Sequence, residues 1–224
     1  MQYTKTIVCF ANSRKTSGRC VAGKTVSGNA PGPWFRPVSA RATHEISLEE
    51  RRYQDGSDPQ LLDVLMIPCE APQPLPYQPE NHLIDADYYW EREGSLSFTD
   101  VDGWLDQPAI LWGSGHSGYA FENNRIPEGT AAQHSLYLIR VDSLNILVGP
   151  KSADYPKRIV RGQFHFAGVR YCLSVTDPAI EASYLARDNG TYTIRRPALC
   201  VSLGDPYQGY FYKLIAAVLH AGRF

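Results

Sequence analysis

The clearest chemical motif in the chain is the octapeptide GRCVAGKT at residues 18–25. It matches the phosphate-binding pattern G-x-x-x-x-G-K-[ST], in which backbone amides and the lysine bind the phosphates of a nucleotide. That chemistry requires a helix beginning at the lysine, so that the amides of its first turn point at the phosphates. The residues that follow, VSGNAPGPWFRP, contain glycines and prolines that disfavour a helix. We therefore interpret residues 18–25 as part of a strand and do not predict a nucleotide hydrolase.

A second glycine motif, GSGHSG at residues 113–118, matches the dinucleotide-binding pattern G-x-G-x-x-G. This pattern also needs a helix directly after it, and the next residues, YAFENNRIPEG, do not favour one. We therefore predict a glycine-rich loop, without a dinucleotide cofactor.

Nucleophilic and metal chemistry have little support in the sequence. His116 lies next to Ser114 and Ser117, but neighbouring residues rarely form a nucleophile and base, and no third group is identifiable. An acidic run could bind a metal, although no histidine or cysteine joins it, and an exposed acidic edge is the simpler interpretation. The run comprises Asp85, Asp87, Glu91 and Glu93. The sequence predicts no catalytic residue, no metal and no cofactor, and it favours a binding module over an enzyme.

The composition is that of a folded protein, with 224 residues, 43% hydrophobic and 20% charged. No stretch approaches the roughly 20 apolar residues of a membrane span, and no signal peptide is recognisable. The five cysteines are scattered and odd in number, without a C-x-x-C motif. These features predict a cytoplasmic protein with reduced cysteines.

Charge is strongly segregated along the chain, although the net charge is only −1. Residues 1–44 contain seven Lys and Arg and no acid, and residues 135–224 contain eleven basic and six acidic residues. Residues 45–134 contain four basic and seventeen acidic residues. Two basic segments that flank an acidic one indicate a polyanionic partner.

The C-terminal part of the chain, residues 135–224, has the pattern of a small β-barrel. Ala167-Gly168 is typical of a two-residue hairpin, and Asp177 with Pro178 begins a short helix. The resulting order, β-β-β-α-β-β, is that of an OB-fold, a five-stranded Greek-key barrel. Strands are predicted at residues 135–149 (one long strand or a pair), 158–166, 169–175, 198–204 and 210–219.

The N-terminal part has the same order of elements. Its short helix, at residues 47–54, begins with a capping box formed by Ser47 and Glu50. Its strands are predicted at residues 4–12, 18–26, 34–39, 61–69 and 81–90. We therefore predict a mainly β protein of two OB-like barrels, residues 1–90 and 135–224. The acidic connector between them, residues 91–134, is expected to contain a short helix at 97–106 and a strand at 109–112.

Six segments distributed along the chain support this interpretation. CFANSRK, GRCVAG and WFRPVS, followed by LSVTDP, LCVSLGDP and YKLIAAVL, resemble in the same order the bacterial family of dual OB-containing domains. The resemblance implies the double-barrel fold and a nucleic-acid or nucleotide ligand. It also implies a role in DNA-modification or anti-phage systems, with partner proteins from such an operon. It implies no catalytic residue.

In the second barrel, the ligand should bind on strands two and three and on the loops joining strands 1–2 and 4–5. The hairpin pairs Phe166 with Val169 and His165 with Arg170, which separates an apolar face from a polar one. The apolar face carries Phe164, Phe166, Val169, Tyr171, Leu173 and Val175. The predicted nucleic-acid contacts are Lys157, Arg161, His165 and Arg170, beside Gln163 and Ser174, with Lys151, Tyr207 and Tyr210 on the loops.

In the first barrel, Trp34 beside Arg36 offers a stacking plane next to a guanidinium, a combination that binds single-stranded nucleic acid. The alternative for Trp34 is a core aromatic. The predicted contacts are Arg14 and Lys15 on the 1–2 loop, Arg19 and Lys24 on strand two, and Trp34 and Arg36 on strand three.

Three functions remain open at this point. The first is non-catalytic binding of single-stranded or locally opened DNA or RNA. The second is sensing or processing of a small nucleotide in a pocket between the barrels, near His116 and Arg125. The third is a protein-interaction scaffold that uses the acidic connector.

Overall fold

The structure is a computed structural model that describes residues 2–28, 30–113, 115–118, 120–130, 132–152 and 154–224, apart from the side chains of Ser27 and Tyr155. The chain folds into two compact units. The first comprises residues 1–104 and 132–135, and the second comprises residues 105–131 and 136–224. Both are mainly β, as predicted. Among the described residues, no helix is long and apolar enough to cross a membrane.

The first unit has the predicted chain order β-β-β-α-β-β, followed by one more strand and a 3-10 helix. Its elements are β1 (Tyr3–Lys15), β2 (Gly18–Ser27), β3 (Ala30–Val38), α1 (Leu48–Arg51), β4 (Asp63–Pro72), β5 (Asn81–Ile84), β6 (Glu91–Ser95) and the 3-10 helix Phe98–Trp104. The sheet order is β1-β2-β3-β5-β4-β6, and β1 also pairs with β4. The pairings β1-β2-β3-β5-β4-β1 therefore form a ring, in which only β3 and β5 are parallel.

The glycines of the octapeptide at residues 18–25 are explained by the close packing of strands. A Cβ atom on Gly18 would lie 2.6 Å from the carbonyl oxygen of Ile46. A Cβ atom on Gly23 would lie 2.1 Å from the carbonyl oxygen of Val8 on β1. Both glycines thus permit backbones to approach, and the motif lies on β2, as predicted, instead of opening a helix.

Replacement of Gly23 by alanine is expected to destabilise the first unit by about 1–3 kcal/mol, because the added methyl group meets rigid backbone. Gly94→Ala is the matched control, since a Cβ atom on Gly94 in β6 meets no atom within 4 Å. Urea unfolding of both variants would measure the difference. Equal stability of the two variants would contradict the close approach of β1 and β2.

Helix α1 opens with the capping box that the sequence predicts. The amide of Glu50 donates to Ser47 Oγ at 3.2 Å, and the amide of Ser47 donates to Glu50 Oε2 at 2.8 Å. The helix ends earlier than predicted, at Arg51, whose buried guanidinium donates to Asp58 Oδ1 at 2.6 Å and to the Ile46 carbonyl at 3.0 Å.

The predicted strand at residues 81–90 is shorter in the structure, because β5 ends at Ile84. Asp85 then forms a turn in which its carboxylate accepts from the amide of Asp87 at 3.2 Å and its carbonyl accepts from the amide of Tyr88 at 3.4 Å. The strand that follows, β6, pairs with β4 and is not predicted, since its sequence EREGS is charged and lacks an apolar face.

The second unit has the sheet order β12-β9-β10-β11-β14-β13-β8, with β7 paired to β14. Its elements are β7 (Arg125–Pro127), β8 (Leu136–Arg140), β9 (Ser143–Ser152), β10 (Tyr155–Phe166), β11 (Val169–Val175), α2 (Pro178–Leu185), β12 (Gly190–Arg195), β13 (Ala198–Tyr207) and β14 (Tyr210–Leu219). Only Val141 and Asp142 separate β8 from β9, so residues 135–149 are a pair of strands. The parallel pair β11–β14 corresponds to the parallel pair β3–β5 of the first unit.

The segment predicted as a connector, residues 91–134, is divided between the units. The 3-10 helix Phe98–Trp104 lies where a short helix is predicted. The predicted strand at residues 109–112 is wrong, because this stretch is irregular. Its apolar character instead reflects burial of Leu111 and Trp112, and the Trp112 ring packs against Tyr137 with centroids 4.8 Å apart.

Candidate nucleic-acid interface

The β10–β11 hairpin has the register that the sequence predicts. Phe166 pairs with Val169, His165 with Arg170, and Arg161 with Ser174. The turn residues Ala167 and Gly168 have φ values of 50° and 76°, which are those of the tight turns that join twisted strands.

The two faces of the hairpin follow the prediction, except that Phe166 and Val169 beside the turn are only half-buried. Phe164, Tyr171 and Leu173 are buried, and the rings of Phe164 and Tyr171 stack with centroids 5.3 Å apart. The opposite face exposes His165 and Arg170 and partly exposes Arg161, while Lys157 is exposed before it.

Segment 120–123 covers part of this polar face. The sequence did not predict this coverage. Arg161 Nη1 donates to the carbonyl of Ala120 at 3.0 Å, and Arg170 forms a 2.9 Å ion pair with Glu122. The backbone of Glu122 also pairs with Cys172 on the edge of β11. Arg161 and Arg170 therefore hold the chain's own loop, and they are weaker candidates for phosphate contacts than the exposed His165 and Lys157.

A groove of about 430 Å³ lies beside this face, and we name it the second-unit groove. Lys151 at the end of β9, Ser174 on β11, and Tyr207 with Gln208 at the β13–β14 turn contribute to its wall. The groove is lined by Gly118, Phe121, Asn124, Arg125, Lys151, Ser174, Tyr207, Gln208 and Tyr212. It thus combines strand three with the 1–2 and 4–5 loops, which is where OB barrels bind their ligands.

Arg125 is held at the groove by two tyrosines of β14. Its guanidinium lies 4.4 Å from the ring centroid of Tyr210, and its Nη1 lies 3.5 Å from Tyr212 Oη. Tyr207 is 63% exposed, and its ring lies 6.2 Å from that of Tyr212. A positioned guanidinium therefore lies beside an exposed aromatic face. The sequence pointed to Lys151, Tyr207 and Arg125 separately, but not to Phe121, Gln208 or Tyr212.

The described part of the glycine-rich loop folds differently from a dinucleotide-binding turn. The amide of His116 donates to the Arg125 carbonyl at 2.7 Å, so the loop folds back on itself. A Cβ atom on Gly115 would lie 2.9 Å from the backbone of Asn123, and this close return explains the glycine. None of residues 120–130, which the structure describes after the loop, is helical, as predicted.

The predicted nucleophile candidates gain no support from the structure. The His116 ring lies against Tyr210, with centroids 5.6 Å apart, and Ser117 Oγ accepts from the amide of Asn123 at 3.3 Å. Ser114 lies outside the described residues. The nearby Cys172 is buried, and burial raises the pKa of its thiol, which disfavours the reactive thiolate.

Three of the contacts predicted in the first barrel are buried, which corrects their assignment to a ligand face. Lys24 Nζ donates to the Trp104 carbonyl at 2.6 Å and lies 5.4 Å from the ring centroid of Trp34. Phe10 packs between Trp34 and Trp104, with centroid distances of 6.3 and 5.6 Å. The 3-10 helix therefore covers this part of β2 and β3, and Trp34 is a core aromatic.

Arg36, the third of these residues, belongs to a buried polar cluster. Its Nη2 donates to Ser135 Oγ at 2.5 Å, and its Nε lies 3.5 Å from Glu80 Oε1. The side chains of Arg36 and Glu80 are each only 4% exposed, so the guanidinium is not accessible to a nucleic-acid ligand.

The other predicted contacts of the first barrel lie on the β1–β2 hairpin. Arg14 pairs with Arg19 across the hairpin, and Lys15 pairs with Gly18. Arg14 is exposed, while Arg19 and Lys15 are half-buried. These three residues form a small basic end of the first unit, and their role in binding stays a prediction.

The acidic run that could have bound a metal does not form a metal site. Among the described residues, no three His, Cys, Asp or Glu side chains are placed to hold a metal ion. None of the five cysteines forms a disulfide.

The pairing order of the first unit, and the order β9-β10-β11-β14-β13-β8 in the second, are consistent with OB-folds, and the second unit has β7 and β12 in addition to the predicted strands. The chain belongs to the family of dual OB-containing domains, whose defining pattern matches residues 5–218. The resemblance carried by the six sequence segments is thereby confirmed. No curated protein and no solved structure matches the chain.

Proposed function

We propose that the second-unit groove binds single-stranded nucleic acid and that the protein acts as a binding module without chemistry of its own. The observation that carries this proposal is the convergence of Arg125 and Lys151 with the exposed ring of Tyr207 in one groove. Basic side chains that follow the backbone, next to aromatic rings that stack on bases, are the combination that single-strand binders use.

The groove residues suggest a division of roles. Arg125 is oriented by Tyr210 and Tyr212, so its guanidinium can meet a phosphate with little loss of side-chain entropy. Tyr207 presents an exposed ring for stacking, a contact that contributes about 1–3 kcal/mol per base. The side-chain amide of the exposed Gln208 can hydrogen-bond a base edge. Phosphate binding here requires no catalytic group.

A mononucleotide is a second candidate ligand, because the groove volume of about 430 Å³ lies in the range of small-molecule sites. The two candidates differ in their dependence on length. A single-strand binder gains affinity from mononucleotide to oligonucleotide, whereas a mononucleotide site does not. The association with DNA-modification or anti-phage systems, with their partner proteins, stays a prediction from the family.

Simultaneous replacement of Arg125 and Lys151 by alanine is expected to weaken binding of a fluorescein-labelled oligo-thymidylate about 100-fold at low salt. This follows because each hydrogen bond to a charged group contributes about 1.5 kcal/mol or more. Fluorescence anisotropy would measure the change, with an oligo-uridylate in parallel. The Tyr207→Ala variant should also bind more weakly.

The matched control is the double variant Arg195→Ala and Arg196→Ala, which removes two exposed positive charges from the same unit at β12. It should retain nearly all of the affinity. Equal losses in both double variants would show that net charge, and not the groove, determines binding. An affinity unaffected by the Arg125 and Lys151 replacements would contradict the proposal.

A further inference from the structure

A cavity of the first unit lies away from the basic hairpin, and it has a different chemistry. We name it the first-unit groove. It has a volume of about 970 Å³ and is formed by the start of β1, by β4, and by segments 53–57 and 85–92. Its aromatic lining comprises Tyr3, Tyr53, Tyr88, Tyr89 and Trp90. Its volume is that of a site for a drug-sized molecule.

A buried carboxylate, Asp85, lines this groove and is only 4% exposed. Its Oδ2 accepts from Gln2 Nε2 at 2.6 Å, and its Oδ1 accepts from the amide of Asp87 at 3.2 Å. Both donors are neutral, and within the described residues Asp85 forms no ion pair. Burial of a carboxylate is costly unless an opposite charge compensates it.

Three other buried acids of this protein have such a compensating charge, whereas Glu45, which is also 4% exposed, accepts from the hydroxyls of Ser17 and Thr43. Glu80 faces Arg36 at 3.5 Å, and Asp63 faces Arg92 at 2.8 Å. Asp177 of the second unit is paired with an arginine in the same way. Asp85 differs from these three in lining a groove and in having, among the described residues, only neutral donors.

The tyrosines of the groove add a second attraction for a cation. Tyr88 is 58% exposed and Tyr89 is 47% exposed, which is unusual for neighbouring large rings. The Arg52 guanidinium lies 5.7 Å from the centroid of Tyr89, and Lys5 Nζ lies 5.9 Å from that of Tyr3. Tyr89 and Tyr3 thus each have a cation of the chain beside them, and an exposed tyrosine ring such as that of Tyr88 attracts ammonium groups in general.

The charged residues at the rim of the first-unit groove also favour a cationic ligand. Asp55 and Glu91 line the groove and are exposed. Arg92 also lines the groove, but its Nε lies 2.8 Å from the carboxylate of Asp63, which offsets the positive charge of the guanidinium. We propose that the first-unit groove binds an organic cation that carries an alkylammonium group, with the ammonium at Asp85 and its alkyl part against the tyrosines. Phosphate-bearing ligands are disfavoured here by the acidic lining.

Isothermal titration calorimetry of the full chain with spermidine and with Nε-trimethyllysine tests this inference. Saturable binding that weakens with salt is expected for at least one of the two probes, and none for adenosine monophosphate at this site. Stronger binding of spermidine would indicate a free polyamine, and stronger binding of trimethyllysine a lysine side chain. Both outcomes support the ammonium site.

Asp85→Asn, which keeps the size of the side chain, is expected to reduce the affinity for the bound probe at least tenfold. Tyr88→Ala should reduce it severalfold without unfolding the chain, because this ring is largely exposed.

Asp100→Asn, which replaces an exposed acid on the 3-10 helix, is the charge-matched control and should bind as the wild type does. If the wild type shows saturable binding of neither spermidine nor Nε-trimethyllysine, the inference is wrong. Wild-type affinity in both Asp85→Asn and Tyr88→Ala would overturn it as well. Oligonucleotide binding at the second-unit groove should be unchanged in these variants, so the two sites are tested separately.

Discussion

Replacement of Asp177 by alanine is expected to lower the free energy of unfolding of the second unit by about 3–5 kcal/mol, the range for breaking a buried ion pair. Asp177 is 1% exposed and caps α2, since its Oδ1 accepts from the amides of Ala179 and Ile180 at 3.2 and 3.3 Å. Its Oδ2 accepts from the amide of Val218 on β14 at 3.0 Å and is paired with Arg223. Alanine would leave these buried donors without an acceptor.

Urea unfolding followed by circular dichroism measures this loss. Asp188→Ala removes an exposed acid just after the same helix and should change stability by no more than about 0.5 kcal/mol. If Asp177→Ala is no less stable than Asp188→Ala, the carboxylate does not join α2 to β14 as described.

The second large effect is expected at Lys213, a lysine on β14 that is 1% exposed. Its Nζ lies 3.4 Å from the carbonyl of Gly113 and 5.2 Å from the ring centroid of Tyr171. Burial lowers the pKa of Lys213 to about 8. In the unfolded chain its pKa is about 10.4. Between these two values the unfolded state binds more protons, so Lys213 makes stability rise with pH.

Lys213→Met is expected to be as stable as the wild type or more stable at pH 7, because a hydrophobic side chain of similar volume avoids the burial of a charge. That advantage should shrink by about 2–3 kcal/mol between about pH 7.5 and pH 10, as the wild-type lysine loses its proton. Burial raises the pKa of the neighbouring Tyr171, which moves its titration to higher pH than that of an ordinary tyrosine. Parallel urea unfolding of the two proteins over this range measures the difference, and a constant difference would show that Lys213 is not buried as a charge.

Local sequence rules predicted much of the fold because the relevant interactions are local. The Ala167-Gly168 turn sets the register of β10 and β11, and Ser47 with Glu50 caps α1. Strand β12 could not be predicted in the same way, since its partner β9 is distant in the sequence.

The candidate sites were harder to predict because they depend on segments that return from elsewhere in the chain. Lys24 and Trp34 have the composition of a nucleic-acid contact, but the 3-10 helix ending at Trp104 covers them. Arg125 and Tyr212 are brought to the second-unit groove by pairing of β7 with β14, and neither β7 nor this pairing has a clear sequence signal.

Nucleic-acid binding at the second-unit groove is tested by the salt dependence of single-strand binding. This dependence is compared between the wild type and the Arg125→Ala and Lys151→Ala double variant. Plots of log affinity against log salt concentration from anisotropy titrations give the number of phosphates that each protein contacts. We expect the affinity of the wild type to fall with salt, and the slope of the variant to be shallower by about 1.4, near 0.7 per lost contact. Failure of the wild type to bind any oligonucleotide at low salt, or the same slope in both proteins, would contradict nucleic-acid binding at the second-unit groove.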